Sequence, residues 1–145
     1  MKRWVIVGLE NSGKSTLCDY IENEKSKRVN TQDLRYRKKT LEVPSSYLEN
    51  TWMNNIIIML AQNQGKGNIF LLDGARIKSM YSPAYAKAFT KPTIGVVTKS
   101  DLLEEKGRLK AKKILEEVVC DKIIFLSFVT NEGINELSDW LDSIK

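Results

Sequence analysis

The sequence predicts an α/β fold, a three-layer arrangement of helices around a mainly parallel central sheet. Two observations predict the class. Short apolar runs at 3–7, 69–72, 93–97 and 123–126 alternate with stretches of helical periodicity along the chain, the pattern of strand–crossover–strand units. These runs are continuously apolar rather than alternating, as expected of parallel strands covered on both faces. A third observation narrows the class: the first run enters a glycine-bounded loop and then a helix-forming stretch at 15–24, the junction where such sheets build ligand sites.

The elements follow in order. Leu17, Cys18 and Ile21 form the sheet-facing side of the first helix. Residues 25–30 are polar and read as a loop. Residues 32–36 and 40–43 read as strands, the second ending at Pro44, which cannot donate to a ladder. Ser45 and Ser46 are candidate caps for a helix over about 47–60, although Ile56 to Leu60 could also begin an extended segment. Residues 62–68 read as a turn-rich link before the strand ending at Asp73-Gly74. Ser82-Pro83 opens a short helix. Residues 104–119 read as a helix with Ile114, Leu115, Val118 and Val119 on one face, and 133–144 as a closing helix striped by Ile134, Leu137, Leu141 and Ile144. With 145 residues and no internal repeat, one domain covering 1–145 is expected.

Composition excludes several functions. The chain has no histidine, which removes histidine bases and histidine metal ligands. Cys18 and Cys120, both read within helical patterns, lack metal-ligand spacing and are expected to be buried free thiols. No apolar run is long enough to span a bilayer, and Met1-Lys2-Arg3 leads straight into a strand, so a cytoplasmic protein is expected. The net charge of +5 is modest; the clusters at 25–28, 35–39 and 106–113 read as solvated surfaces, with no specific nucleic-acid partner expected.

The loop Gly8-Leu9-Glu10-Asn11-Ser12-Gly13-Lys14-Ser15 is G-x-x-x-x-G-K-[ST], the phosphate-binding loop. Glycines at both ends let the backbone approach a phosphate, and its N–H groups together with the helix N-terminus, through Thr16, attract the anion. Lys14 supplies a point charge between β- and γ-phosphates, and the Ser15 hydroxyl is a Mg²⁺ ligand. A second motif, Thr98-Lys99-Ser100-Asp101, follows the strand at 93–97. Asp101 can accept from both N1–H and the 2-amino group of guanine while the Lys99 stem covers the ring; adenine lacks that donor pair. Ser127 and Phe128, at the exit of the last strand, stand where GTP-binding proteins place Ser-Ala beside the base. Thr31 and Glu42 are further candidate Mg²⁺ contacts, although Glu42-Val43-Pro44-Ser45 departs from the Asp-x-x-Gly expected at the γ-phosphate.

The phosphate loop, Thr31-Gln32, the stretch Pro44 to Asn50, Leu72-Asp73-Gly74 and Gly95 to Leu102 together resemble the ethanolamine-utilisation P / propanediol-utilisation V (EutP/PduV) family, over nearly the whole chain. The resemblance implies a small GTPase-like fold, a role in ethanolamine or propanediol breakdown, and partners among bacterial microcompartment shell or pathway proteins. Some family members bind ATP, so GTP/GDP or ATP with Mg²⁺ is the cofactor expectation. Two rivals stay open. A kinase or ATPase would place Asp73 beside Ser15; a non-catalytic nucleotide-binding scaffold would be favoured by the altered Glu42–Ser45 segment, which predicts slow hydrolysis.

Overall fold

The computed structural model describes residues 2–25, 33–78 and 81–144. Thr31, most of the loop expected at 25–30 and Gln32 lie outside them. Six strands form one sheet in the order β2-β3-β1-β4-β5-β6: β1 (Arg3–Val7), β2 (Arg35–Tyr36), β3 (Thr40–Glu42), β4 (Gly65–Asp73), β5 (Thr93–Thr98) and β6 (Lys122–Phe125). All neighbours are parallel except the β2–β3 hairpin. The helices are α1 (Lys14–Glu22), α2 (Ser45–Glu49), α3 (Asn54–Gln64), α4 (Glu105–Val118) and α5 (Ile134–Ser143).

The continuous apolar runs are the buried central strands, and Val5, Ile6, Val7, Ile69, Phe70, Ile94, Val96 and Val97 are inaccessible to solvent. One face packs against α1 and α5 through Leu17, Cys18, Ile21 and Leu137. The other packs against α2, α3 and an aromatic group in which Phe70 meets Tyr81, Tyr85 and Phe89 at centroid distances of 5.2, 5.4 and 5.1 Å. Tyr81, Tyr85 and Phe89 come from the connection between β4 and β5 and cover β4 and β1, with the Tyr81 hydroxyl donating to the Val7 and Leu71 carbonyls, where a doubly wound fold ordinarily places a helix.

Several elements depart from the sequence reading. The helix expected over 47–60 is broken into α2 and α3 by a turn at residues 50–53. Ser45 and Ser46 lie inside α2 and do not cap it; Pro44 occupies the cap position with no side-chain cap. The link expected at 62–68 is absent, because α3 runs to Gln64 and β4 starts at Gly65. Glycines at 65 and 67 read locally as turn signals, but a Cβ at Gly65 would strike the Ala61 carbonyl and one at Gly67 the Trp4 ring. They are there for close packing. The strand expected over 32–36 covers only Arg35–Tyr36, and the helix expected after Ser82-Pro83 is a 3-10 turn, Tyr85–Ala88. Val119 takes a left-handed conformation (φ 67°) that ends α4, so it is exposed rather than on the packed face, and Cys120 follows outside the helix, half-buried. Both cysteines are free, and burial pushes each thiol up to about 12.

Candidate functional site

β1 delivers the chain to the phosphate loop at the carboxyl edge of the sheet. Asn11 (φ 61°) and Gly13 (φ 98°) carry the left-handed residues of the loop, a conformation that Asn and Gly tolerate best. Gly8 is packed so closely that a Cβ would lie 3.0 Å from Leu71 Cβ. α1 begins at Lys14, and its first backbone bond runs from Leu17 N–H to Gly13 carbonyl at 2.9 Å. The N–H groups of Lys14, Ser15 and Thr16 therefore have no acceptor within the helix and face the loop's mouth as donors.

Lys14 is 8 % exposed and donates to the Gly8 and Leu9 carbonyls at 2.8 and 2.9 Å. Burial pulls its ammonium below the ordinary lysine range, against the opposing pull of Glu42. A desolvated cation held on neutral carbonyls is what an incoming phosphate would compensate. The Ser15 hydroxyl donates to Glu42 Oε2 at 3.2 Å, because β3 pairs with β1 in a register that sets Glu42 opposite Ile6. A hydroxyl and a carboxylate are hard oxygen donors that suit Mg²⁺, which takes few protein ligands and completes its shell with phosphate oxygens and water. Among the described residues no group of three or more acidic, cysteine or histidine side chains could hold a metal alone.

The second motif closes against the loop from β5. Thr98 Oγ1 donates to the Ser12 carbonyl at 2.7 Å, and Lys99 Nζ donates to the Asn11 carbonyl at 2.7 Å. Lys99 is left-handed (φ 55°) and turns the chain into a 3-10 segment, Ser100–Leu102. Asp101 accepts from Ser127 Oγ at 2.8 Å, and Ser127 Oγ in turn accepts from Val129 and Thr130 N–H at 3.1 and 3.2 Å. Phe128, the next residue after Ser127, is exposed, with its ring 5.6 Å from that of Tyr20 on α1. The sequence reading missed the brace behind these residues. Arg108 on α4 donates twice to Glu132, both at 2.7 Å, and once to the Ser100 carbonyl, while Ser100 Oγ donates to Glu132 at 2.7 Å. Arg108 holds the Glu132 carboxyl below its usual range. No local pattern announces a pair 24 residues apart.

The structure thus brings Gly8 to Thr16, Glu42, Thr98, Lys99, Asp101, Ser127 and Phe128 to one edge of the sheet. Asp73 is elsewhere. It ends β4, on the opposite side of β1 from β3, and pairs with Lys99 at 3.2 Å rather than with Ser15. The condition that would have favoured the kinase or ATPase rival is not met.

A family profile described as "Ethanolamine utilisation - propanediol utilisation" matches residues 1–143. The chain belongs to this family. A curated relative, the propanediol utilization protein PduV of Citrobacter freundii, is 26 % identical over 143 residues, covering 99 % of this chain and 95 % of the relative. Among solved structures, a bacterial selenocysteine-specific elongation factor, EF-Sec, superposes with a TM-score of 0.67 at 20 % identity over 99 % of this chain. This chain spans only 29 % of that factor. A probable GTP-binding protein engB gives 0.62 at 16 % identity, with 97 % of each chain covered. The G domain of the T. maritima FeoB iron transporter gives 0.57 at 18 % identity, covering 96 % of this chain and 95 % of that one. The family member described here has the P-loop GTPase-like fold, and none of its described helices is long and apolar enough to cross a membrane.

Proposed function

We propose that this chain binds a guanine nucleotide with Mg²⁺ and hydrolyses it slowly, acting as a nucleotide-dependent component of propanediol utilisation. One observation carries the reading: Asp101 is presented by Ser127 on the same edge as a phosphate loop whose buried Lys14 donates, among the described residues, to two neutral carbonyls. In this reading residues 8–16 would cradle the phosphates with Lys14 as their charge partner, Ser15 and Glu42 would hold Mg²⁺, and Thr31 is a further candidate ligand to the ion. Thr98, Lys99, Asp101, Ser127 and Phe128 form the base site. Bound Mg²⁺ supplies charge neutralisation between the phosphates.

Family membership supports a setting in the cytoplasm, at or near a bacterial microcompartment, with shell or pathway proteins as partners. The altered Glu42-Val43-Pro44-Ser45 segment favours a second reading, a scaffold that binds nucleotide without turnover; phosphate release under single-turnover conditions separates the two. Calorimetric titration with GTP, GDP, ATP and ADP in Mg²⁺ tests the main one. Guanine nucleotides are expected to bind at least about tenfold more tightly, because adenine leaves the Asp101 carboxylate unpaired. Equal affinity for the two bases would overturn it.

A further inference from the structure

Asp73 takes no part in the phosphate or base contacts assigned above, yet its carboxylate is aimed. Its Oδ1 accepts from Ala75 N–H at 2.9 Å. The neighbouring Gly74 N–H bonds the Thr98 carbonyl at 2.8 Å. A Cβ at Gly74 would collide with the Thr98 and Lys99 carbonyls, so only glycine lets the end of β4 lie this close to the second motif. The result is an ion pair between Asp73 and the Lys99 ammonium at 3.2 Å. The same ammonium donates to the Asn11 carbonyl of the phosphate loop at 2.7 Å. Lysine otherwise carries its charge on a flexible stem with many rotamers. Here both ends of that stem are fixed: the backbone by its left-handed turn, the ammonium by a carboxylate and a carbonyl.

We propose that Asp73 is a positioning residue for the nucleotide site. It ties the Lys99 ammonium to the phosphate loop, so that the lysine stem is already laid out as the surface on which a purine ring packs. This rests on the nucleotide reading above and adds a division of labour. Asp73 acts through Lys99 on affinity for any purine nucleotide, because the stem covers the ring face whatever the ring's substituents. Asp101 alone acts on the choice of base. The pair is partly solvated, with side-chain exposures of 39 % for Lys99 and 13 % for Asp73, so its effect is modest.

Asp73→Asn separates this role from a merely structural one, since asparagine keeps the oxygen that accepts from Ala75 N–H while losing the charge. In the full chain with Mg²⁺, Asp73→Asn is expected to weaken GDP about two- to fivefold, the range of partly exposed ion pairs. It should weaken IDP, which lacks the 2-amino group, by the same factor, and leave the melting temperature of the nucleotide-free protein unchanged. In a Lys99→Ala background it should have no further effect. Acylation of the nucleotide-free protein by an N-hydroxysuccinimide acetate, mapped by mass spectrometry, should rise severalfold at Lys99 and at no other lysine. Unchanged GDP affinity, an equal loss in the Lys99→Ala background, or a loss confined to GDP would each overturn the proposal. A parent that binds neither GDP nor IDP would take down the nucleotide reading and this role with it. Tight parent binding that ignores Asp73→Asn would defeat the positioning role alone.

Discussion

Two regions border the proposed nucleotide cleft, and they are built differently. The phosphate loop and the base-reading segments are joined by hydrogen bonds among residues distant in sequence: Thr98 to Ser12, Lys99 to Asn11, Ser127 to Asp101 and Arg108 to Glu132. Gly8, Ser12, Lys14, Thr98, Ser100 and Ser127 are buried beneath an exposed rim of Glu10, Asn11, Asp101 and Phe128. The segment from Glu42 through α2 and into α3 has one contact of this kind with the loop, the Ser15 hydroxyl on Glu42. Beyond it the chain opens outward, with Trp52 66 % exposed beside an open concavity of about 830 Å³ lined by Ser46, Glu49, Asn50, Thr51, Trp52 and Asn55. The difference teaches where the sequence can vary. In the proposed reading, binding rests on a hydrogen-bonded network in which each group constrains another, whereas the stretch that would couple binding to turnover is held by burial of Val43, Leu48 and Ile57, meets the loop through Ser15 and Glu42, and has departed from Asp-x-x-Gly.

Each side of that contrast can be broken separately. Lys14→Ala removes a buried charged contact and should reduce nucleotide affinity most, by about 1.5–3 kcal/mol or more than tenfold in titration; a variant binding like the parent would put the site elsewhere. Asp101→Asn comes next. It should weaken GDP by about 1–3 kcal/mol and shift preference towards xanthine nucleotides, whose 2-oxygen suits an amide donor, read out by competition between GDP and XDP.

On the other side, the double change Glu42→Asp with Ser45→Gly should accelerate single-turnover GTP hydrolysis about tenfold or more, with affinity nearly unchanged, as contacts around a metal site typically tune activity by about 10–100-fold. A parent already turning over at about 1 s⁻¹ would instead show that other residues carry the reaction.

The smallest effect sharpens the tight side. Arg108 lowers the Glu132 carboxyl relative to its ordinary value of 4.5, so the folded state favours the charged form. The stability this gives is fully present above the ordinary value and is lost as pH falls through the lowered one. Glu132→Gln should therefore lower the melting temperature slightly near neutral pH, the pair being about one-third exposed. The gap from the parent should close as pH falls through the lowered value, as calorimetry at a series of pH values would show.

The strand–loop–helix around Gly8 to Ser15 was legible from sequence because its pattern is local. Gly8, Gly13, Lys14 and Ser15 are adjacent, and the strand before them and the helix after them are written in contiguous periodicity. The same holds for Thr98 to Asp101, and for the cores of β1, β4, β5, β6 and α1, where burial on both faces or on one stripe dictates the residue pattern. Local chemistry misled where tertiary packing used the same residues for another purpose. Gly65 and Gly67 read as turn residues and are strand positions pressed against Ala61 and Trp4. The apolar run from Ile56 continues a helix that starts only at Asn54, after a turn no periodicity signals. Asp73 carried the rival kinase or ATPase reading on apolar context alone, a pattern equally available to any strand exit. What it touches depends on which strand lies beside which, and the order β3-β1-β4 gives Ser15 to Glu42 and leaves Asp73 to Lys99. Sequence alone determined which groups this protein brings to the cleft, since each motif carries its own geometry. Only the tertiary structure decided which of them meet, because hydrogen bonds and ion pairs form across strands whose adjacency is set by sheet order and not by distance along the chain.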